Sequence, residues 1–119
     1  MPIAFQELLT PHGRPYVRVA VSGDFDLAEA EAFVSSFGRE GPYFMKPAIS
    51  VVPRGTEYTP AARKHLQTMG EAAPMATVTA SPLVRAAVNL MLRLSGKTGQ
   101  LRMFTTEAEA LTWLDTQLR

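Results

Sequence analysis

The residues that come closest to a chemical motif are Gly96-Lys97-Thr98, which match the end of a phosphate-binding loop. That loop needs another glycine five residues before Gly96, and this chain has Met91 there. It must also lead from a strand into a helix, so that backbone amides point at the phosphate. Here the pattern predicts a helix followed by a strand. We therefore predict a helix end and a turn at this position, and no nucleotide site.

Titratable side chains that serve as metal ligands or acid–base catalysts are scattered in this chain. His12 lies in a predicted turn, and His65 lies on the outward side of a predicted helix that has a narrow apolar stripe. Neither has an acidic or histidine partner at metal-site spacing. Asp24 and Asp26 are close in sequence, but Asp26 is already explained as a helix cap. With no cysteine and no G-x-S-x-G motif, the sequence predicts no metal site, no cofactor and no enzymatic activity.

The segment best suited to non-catalytic binding is the loop Arg54-Gly55-Thr56-Glu57-Tyr58-Thr59. It joins a predicted buried strand to the N-terminus of a helix, and partners tend to dock at this edge of α/β sheets. Thr56 and Thr59 offer hydroxyls, and a helix N-terminus favours anions. The simpler interpretation is that Thr59 caps the helix and the rest is a turn. Both interpretations stay open at this point.

The most apolar helix candidate runs from Leu83 to Leu94, with Ser81 as its N-cap. Its polar residues Arg85, Asn89 and Arg93 are spaced by four and share one face. A helix that is apolar around most of its circumference is usually buried on both sides. One side can lie on a sheet. The other side then needs a neighbouring helix, a second copy of the chain or an apolar ligand.

Charge is distributed unevenly around this helix. From Ala72 to Thr106 there is no acidic residue, and the basic residues of that stretch are Arg85, Arg93, Lys97 and Arg102. Such a basic segment suits an anionic headgroup, a phosphate or an acidic protein, although an ordinary solvated surface has the same composition. Arg85, Arg93 and Lys97 therefore join the candidate binding residues.

Composition sets the broad class of the protein. The chain has 119 residues, which favours one domain over residues 1–119, and 46% of them are apolar, which favours a packed core. The net charge of +1 is too close to zero to indicate nucleic-acid binding, and the absence of cysteine excludes disulfides. The first fifteen residues lack the pattern of a signal peptide, so we expect a soluble cytoplasmic protein.

Hydrophobic periodicity predicts the element order β-β-α-β-α-β-α-β-α. The first two strands are expected to pair as a hairpin. Asp26 with Glu29 forms a capping box for the first helix, with Glu29 facing outward, and Thr106 with Glu109 forms a second capping box for the last helix. Strands that alternate with helices favour an α/β fold with a mainly parallel central sheet covered by helices. The strands are predicted over Ile3–Leu8, Tyr16–Val21, Ala48–Val52, Met75–Ala80 and Leu101–Phe104.

The order of elements resembles that of the SpoIIAA-like group of STAS and Sec14-type domains. The resemblance extends over essentially the whole chain, with VSGDFD before the first helix and GTEYTPAARK after the third strand. It is most specific in SPLVRAAVNLMLRLSGKTGQLRMFTTEAEALTWL, residues 81–114. These motifs are patterns of fold, so the resemblance implies a single STAS-like domain.

Members of the STAS group are similar to bacterial anti-sigma-factor antagonists. Those proteins bind a partner kinase and are switched by phosphorylation of a serine or threonine near the start of the helix after the third strand. The hydroxyls available at that position here are Thr56 and Thr59, although the usual Asp-Ser-Ser/Thr-Gly sequence is absent. The resemblance thus implies a non-enzymatic regulatory or protein-interaction module with a kinase-like partner.

Sec14-type relatives imply an alternative function, because they bind lipids between a sheet and mobile helices. The apolar helix from Leu83 to Leu94, with Arg85, Arg93 and Lys97 at its edge, fits binding of a lipid or small apolar ligand, or docking to a membrane surface. Homodimerisation through the same helix is compatible with either function.

Overall fold

Within the described residues, five strands form one mixed sheet and four helices pack on it. A computed structural model of the protein describes residues 3–70, 72–95 and 101–118, and for residues 87 and 91–95 it describes only the backbone. The strands are β1 (Ile3–Leu9), β2 (Pro15–Val21), β3 (Ala48–Val51), β4 (Met75–Val78) and β5 (Leu101–Phe104). The helices are α1 (Leu27–Phe37), α2 (Pro60–Leu66), α3 (Pro82–Ser95) and α4 (Glu107–Gln117).

This element order is the predicted one, and the α/β class is confirmed. The predicted strand ends differ from the observed ends by at most two residues, because apolar alternation marks a strand without marking where its hydrogen bonding stops. The helix end predicted at Gly96 lies outside the described residues.

The strands lie in the sheet in the order in which they occur along the chain. β1 is antiparallel to β2 and forms the predicted hairpin, with Ile3 opposite Val21 and Leu9 opposite Pro15. The next three pairs, from β2 to β5, are parallel. The sheet is therefore mixed, with one antiparallel strand at its edge.

Each helix begins at a residue whose side chain accepts a hydrogen bond from the first turn, as the sequence predicts. Asp26 accepts from the N–H of Leu27 at 2.8 Å, and Glu29 accepts from the backbone N–H of Asp26 at 2.9 Å. Glu29 was expected to face outward, which is wrong. It is buried, because its carboxylate turns back to the N-cap. The other N-caps are Thr59, Ser81 and Thr106, which accept from the N–H groups of Ala62, Val84 and Glu109.

The helices divide between the two faces of the sheet. Right-handed crossovers between neighbouring parallel strands place the crossover helices on one face when the strand order never reverses. Residues of α1, α2 and α3 accordingly share one core with the strands. α4 follows the last strand and packs on the other face, against β3, β4 and β5. This second core contains Tyr16, Ile49, Ala76, Val78, Ala110 and Leu114.

α4 is also held to the β1–β2 hairpin by a buried polar group. Asp115, near the end of α4, accepts hydrogen bonds from the Thr10 hydroxyl and the Arg14 guanidinium. Asp115 and Thr10 are both buried, and a buried polar group without a hydrogen bond is costly. The bond between them supplies each side chain with a partner. The fold is therefore closed by a contact between its first hairpin and its last described helix.

Candidate functional site

The carboxyl ends of β2, β3 and β4 meet at one edge of the sheet, here called the carboxyl edge, and α1, α2 and α3 begin there. In open α/β sheets, ligands bind where the strand order reverses and two diverging loops leave a crevice. The described strands run in sequential order with no reversal. The carboxyl edge is therefore suited to surface contacts rather than to enclosing a small ligand.

Phe25 and Tyr58 join the loop before α1 to the loop before α2. Their rings are stacked, with centroids 4.7 Å apart and planes 12° from parallel. The N–H of Phe25 donates to the carbonyl of Glu57 at 2.8 Å, and the N–H of Thr59 donates to the carbonyl of Phe25 at 3.0 Å. The two loops therefore form one rigid element. We call residues 23–26 and 56–59 the loop junction.

The two predicted phosphoacceptors lie in the loop junction, and both hydroxyls are already hydrogen-bonded. Thr56 is only 4% exposed, and its hydroxyl donates to the carbonyl of Gly23 at 2.9 Å. Thr59 is half-buried; its hydroxyl donates to the Asp26 carboxylate at 2.9 Å and accepts from the N–H of Ala62 at 3.2 Å. A modifying enzyme would therefore reach Thr59 more easily than Thr56. Phosphorylation of either residue stays a prediction.

Asp26 is the carboxylate that holds the loop junction together. The backbone N–H of Leu27 and the hydroxyl of Thr59 both donate to it, and these hydrogen bonds lower the pKa of Asp26 below its ordinary value against a smaller opposing effect of desolvation. A general base works best when its pKa lies near the ambient pH. Asp26 is therefore suited to fixing the two loops, and poorly suited to acid–base catalysis.

The side chains that project from the carboxyl edge carry both signs of charge beside an apolar group. Asp24, Arg54 and Glu57 are exposed, and Leu27 is 41% exposed. Within the described part of the chain, none of these three charged side chains forms an ion pair. Gly55 has a φ of +93°, which shapes the turn in this loop. We call Asp24, Leu27, Arg54 and Glu57 the edge patch.

α3 buries one side and exposes the other. Val84 and Val88 are buried in the first core, whereas Leu83 is 76% exposed and Leu90 is 48% exposed. The sequence indicated that this helix needs a second cover. Among the described residues, the core packs on the side of α3 that carries the two valines. The two leucines therefore form an exposed apolar surface.

The basic residues predicted to bind alongside the loop are separated along α3. Arg85 is half-buried near the start of the helix and so lies close to the carboxyl edge. Arg93 lies about 12 Å further along the axis, toward the opposite edge of the sheet, and only its backbone is described. Lys97 lies outside the described residues. The structure therefore places Arg85, but not Arg93, at the edge that carries the 54–59 loop.

Sequence reasoning missed part of this site. It did not single out Phe25 and assigned Asp26 only as a helix cap, whereas both residues bind the 56–59 segment. The available signal was a large aromatic residue between two acidic residues in a loop, since a ring of that size is usually buried against other apolar side chains. In the described residues, no group of three His, Asp or Glu side chains is placed to hold a metal ion.

Comparison with known proteins gave no match: no family model, no curated protein and no solved structure is significantly similar to this chain. The STAS assignment therefore stays a hypothesis that rests on the sequence resemblance. No helix in the described ranges combines the length and the apolar character needed to cross a lipid bilayer.

Proposed function

We propose that this protein is a non-enzymatic regulatory module that binds a protein partner at the carboxyl edge. The observation that carries this proposal is the loop junction. The Phe25–Tyr58 stack and its backbone hydrogen bonds hold two loops in one geometry, next to the exposed and unpaired charges of the edge patch. A surface that is rigid before binding loses little conformational entropy when a partner docks.

The chemistry of the edge patch favours a protein over other partners. Nucleic acids and anionic lipids select clusters of positive charge. The edge patch instead has two carboxylates, one guanidinium and an exposed leucine. Protein interfaces combine apolar contacts with a charged and polar rim in this way. A kinase-like regulator is the partner that the STAS resemblance implies.

Phosphorylation of Thr59 is the form of regulation that the geometry supports best. The Thr59 hydroxyl lies 2.9 Å from the Asp26 carboxylate. A phosphate on that oxygen would place about two negative charges beside Asp26 and would remove the hydrogen bond between the two loops. The added repulsion would weaken the contact between the two loops and change the shape of the edge patch.

Photo-crosslinking in cells that make the protein tests the location of the interface. A photoreactive amino acid at Glu57 should capture one defined partner, and adding Leu27→Asp should abolish capture because it places a charge in the apolar part of the edge patch. The same photoreactive residue at Gln117, which is exposed on α4, is the control. Equal capture from both positions, or none from Glu57, would contradict the proposal.

A second candidate function is docking of α3 to an anionic lipid surface. The specific observation is that Leu83 and Leu90, which are seven residues apart and so lie on one row of the helix, are exposed. The stretch from residue 72 to residue 106 has four basic residues and no acidic one, whereas the rest of the chain has eight basic and eleven acidic residues. An exposed apolar row with basic neighbours is typical of helices that lie at a membrane interface.

Vesicle sedimentation tests this second function. We expect the protein to sediment with vesicles that contain phosphatidylserine, and to remain in solution with vesicles of phosphatidylcholine alone. Leu83→Gln should reduce sedimentation, whereas Leu27→Gln, at an exposed leucine outside α3, should not. Equal sedimentation with both vesicle types would show that charge plays no part.

A further inference from the structure

β1 forms one edge of the sheet and is bonded to β2 on one side only. The N–H of Thr10 donates to the carbonyl of Arg14 at the closed end of the hairpin. Hydrogen-bonded pairs alternate along an antiparallel ladder, so the even-numbered residues of β1 bond to β2. Consistent with this alternation, Val17, which lies opposite Glu7, donates its N–H to Pro47 on the far side of β2. The residues that direct their backbone groups away from the sheet are Ile3, Phe5, Glu7 and Leu9.

These outward backbone groups have less protection than edge strands usually have, because the charged residue of β1 is Glu7, which is paired with Lys46. Among the described residues, no loop or helix forms a backbone hydrogen bond with them. Natural edge strands are commonly very short, interrupted by a bulge, or marked by lysine or proline. β1 has seven residues in continuous register, and its sequence IAFQELL contains neither lysine nor proline. The opposite edge strand, β5, has only four residues and carries the exposed Arg102.

β1 is complementary to a second copy of itself. If two copies of β1 pair antiparallel about a two-fold axis at Gln6, each of the seven residues lies opposite a residue of the partner strand. The outward N–H and C=O groups of one copy then face those of the other and can form hydrogen bonds. This register places Ala4 opposite Leu8 of the partner subunit and Gln6 opposite Gln6 of the partner subunit. The two glutamine side chains, which are exposed in the single chain, can then hydrogen-bond to each other.

The side chains on the other face of the paired strands are also compatible with this register. Leu9, which is 67% exposed, meets Ile3 of the partner subunit and gains apolar cover. Glu7 meets Phe5 of the partner subunit, and its charge is already balanced by Lys46, whose Nζ lies 2.6 Å from the Glu7 carboxylate. A two-fold axis at Glu7 would instead set two carboxylates opposite each other, and an axis at Phe5 would leave Leu9 unpaired.

We propose that β1 pairs antiparallel with β1 of a second copy about a two-fold axis at Gln6, which joins two five-stranded sheets into one ten-stranded sheet. The interface is isologous and therefore closes as a dimer. This interface, on the edge strand β1, is separate from the outward face of α3, which the sequence suggested as a homodimer interface. It is also independent of partner binding at the carboxyl edge.

Charge substitution at the two-fold axis tests this pairing. Sedimentation equilibrium should find a dimer for the natural sequence. Gln6→Lys and Gln6→Glu should each raise the dissociation constant at least about fivefold, because like charges directly opposite one another destabilise a strand pair. An equimolar mixture of the two variants should restore the dimer. Gln67→Lys, at an exposed position just after α2, should leave the dissociation constant unchanged.

Cysteine crosslinking tests the register directly, because the chain has no cysteine of its own. Non-hydrogen-bonded residues opposite each other in an antiparallel pair have Cα atoms about 4.5 Å apart, which permits a disulfide. Gln6→Cys should therefore form a disulfide-linked dimer on mild oxidation, and Gln67→Cys should not.

Two outcomes would overturn the proposal. One is a natural chain that stays monomeric over the whole concentration range. The other is a dimer that survives Gln6→Lys and dissociates in Leu90→Glu, which would place the interface on α3. Circular dichroism of each variant shows whether it is folded, and the crosslinking result decides the register if Gln6→Lys fails to fold.

Discussion

The hydroxyl of Thr10 lies 2.5 Å from the carboxylate of Asp115 and joins two residues that are 105 positions apart in the sequence. Arg14 completes the contact by donating to the backbone carbonyl of Asp115 at 2.8 Å and to its carboxylate at 3.4 Å. Desolvation opposes ionisation of this buried carboxyl, but the Thr10 hydroxyl, His12 and Arg14 outweigh it and hold the pKa of Asp115 below its usual value.

Replacing this carboxylate should make stability less dependent on pH. Folding lowers the pKa of Asp115, so the ionised carboxylate stabilises the folded state. This contribution to stability is present above the pKa that Asp115 has in the unfolded chain, and it is lost as the pH falls through the pKa of the folded state. Asp115→Asn should therefore lower the urea midpoint at neutral pH and change it little in acid. Thr116→Ala, on the exposed side of the same helix, is the control. An equal loss at both pH values would contradict the electrostatic explanation.

Removing the ring of Tyr58 should destabilise the loop junction. The ring stacks on Phe25, which is itself 3% exposed. Tyr58→Ala leaves a cavity beside Phe25 and should lower the free energy of unfolding by about 2–4 kcal/mol. Tyr58→Phe keeps the stack and should cost much less. Urea denaturation of both variants measures the difference, and similar losses would assign the effect to the hydroxyl instead.

Alkaline titration should distinguish Tyr58 from an exposed tyrosine. Burial raises the pKa of Tyr58 above its ordinary value. Folding therefore favours the neutral phenol. Its contribution to stability is present below the pKa that Tyr58 has in the unfolded chain, and it is lost as the pH rises from that value toward the higher pKa of the folded state. Burial also raises the pKa of Tyr16, so tyrosinate absorbance should show a delayed phase to which Tyr58 contributes. The amplitude of that phase should fall in Tyr58→Phe; if it is unchanged, Tyr16 alone accounts for the delay.

Gly55→Ala isolates the effect of backbone conformation in the 54–59 loop. Gly55 has a φ of +93°, and no atom lies within 4 Å of the position of an added Cβ. The substitution should therefore cost about 1 kcal/mol through backbone strain alone. Gly70→Ala also meets no neighbouring atom and has no positive φ, so it should be close to neutral in thermal unfolding. Equal effects of the two changes would rule out strain as the cause.

Acidic substitutions should separate the two threonines of the loop junction. Thr59→Glu places a carboxylate beside Asp26 at a partly exposed position, and should remove the cap of α2 at a cost of about 1 kcal/mol. Thr56→Glu places a charge at a buried position and should prevent folding. In Thr59→Glu, amide NMR shifts should change mainly at Phe25 and Thr59. Shifts spread over the whole domain would argue against a local switch.

The order of the elements and the helix starts could be predicted from the sequence, because they depend on local chemistry. Asp26, Thr59, Ser81 and Thr106 act as N-caps through contacts within three residues. The apolar alternation of Val17, Val19 and Val21 also marked a strand correctly.

The contacts that define the candidate site depend on distant residues and left little local trace. The stacking of Phe25 on Tyr58 follows from the adjacency of β2 and β3, which no periodicity reveals. The burial of Thr56 has the same origin, since its hydroxyl bonds to Gly23 across the same pair of loops. The outward leucines of α3 were predicted to need cover, but the sequence did not indicate which of them the core would leave open.

The sequential strand order also determines how this chain can fold during synthesis. Each strand pairs with the strand translated just before it, so the sheet can grow outward from the β1–β2 hairpin without waiting for a distant segment. The face that holds Tyr16 and Ile49 is the exception, because its cover, α4, is translated after all five strands. Until α4 leaves the ribosome, this apolar face is open to chaperones and to other nascent chains.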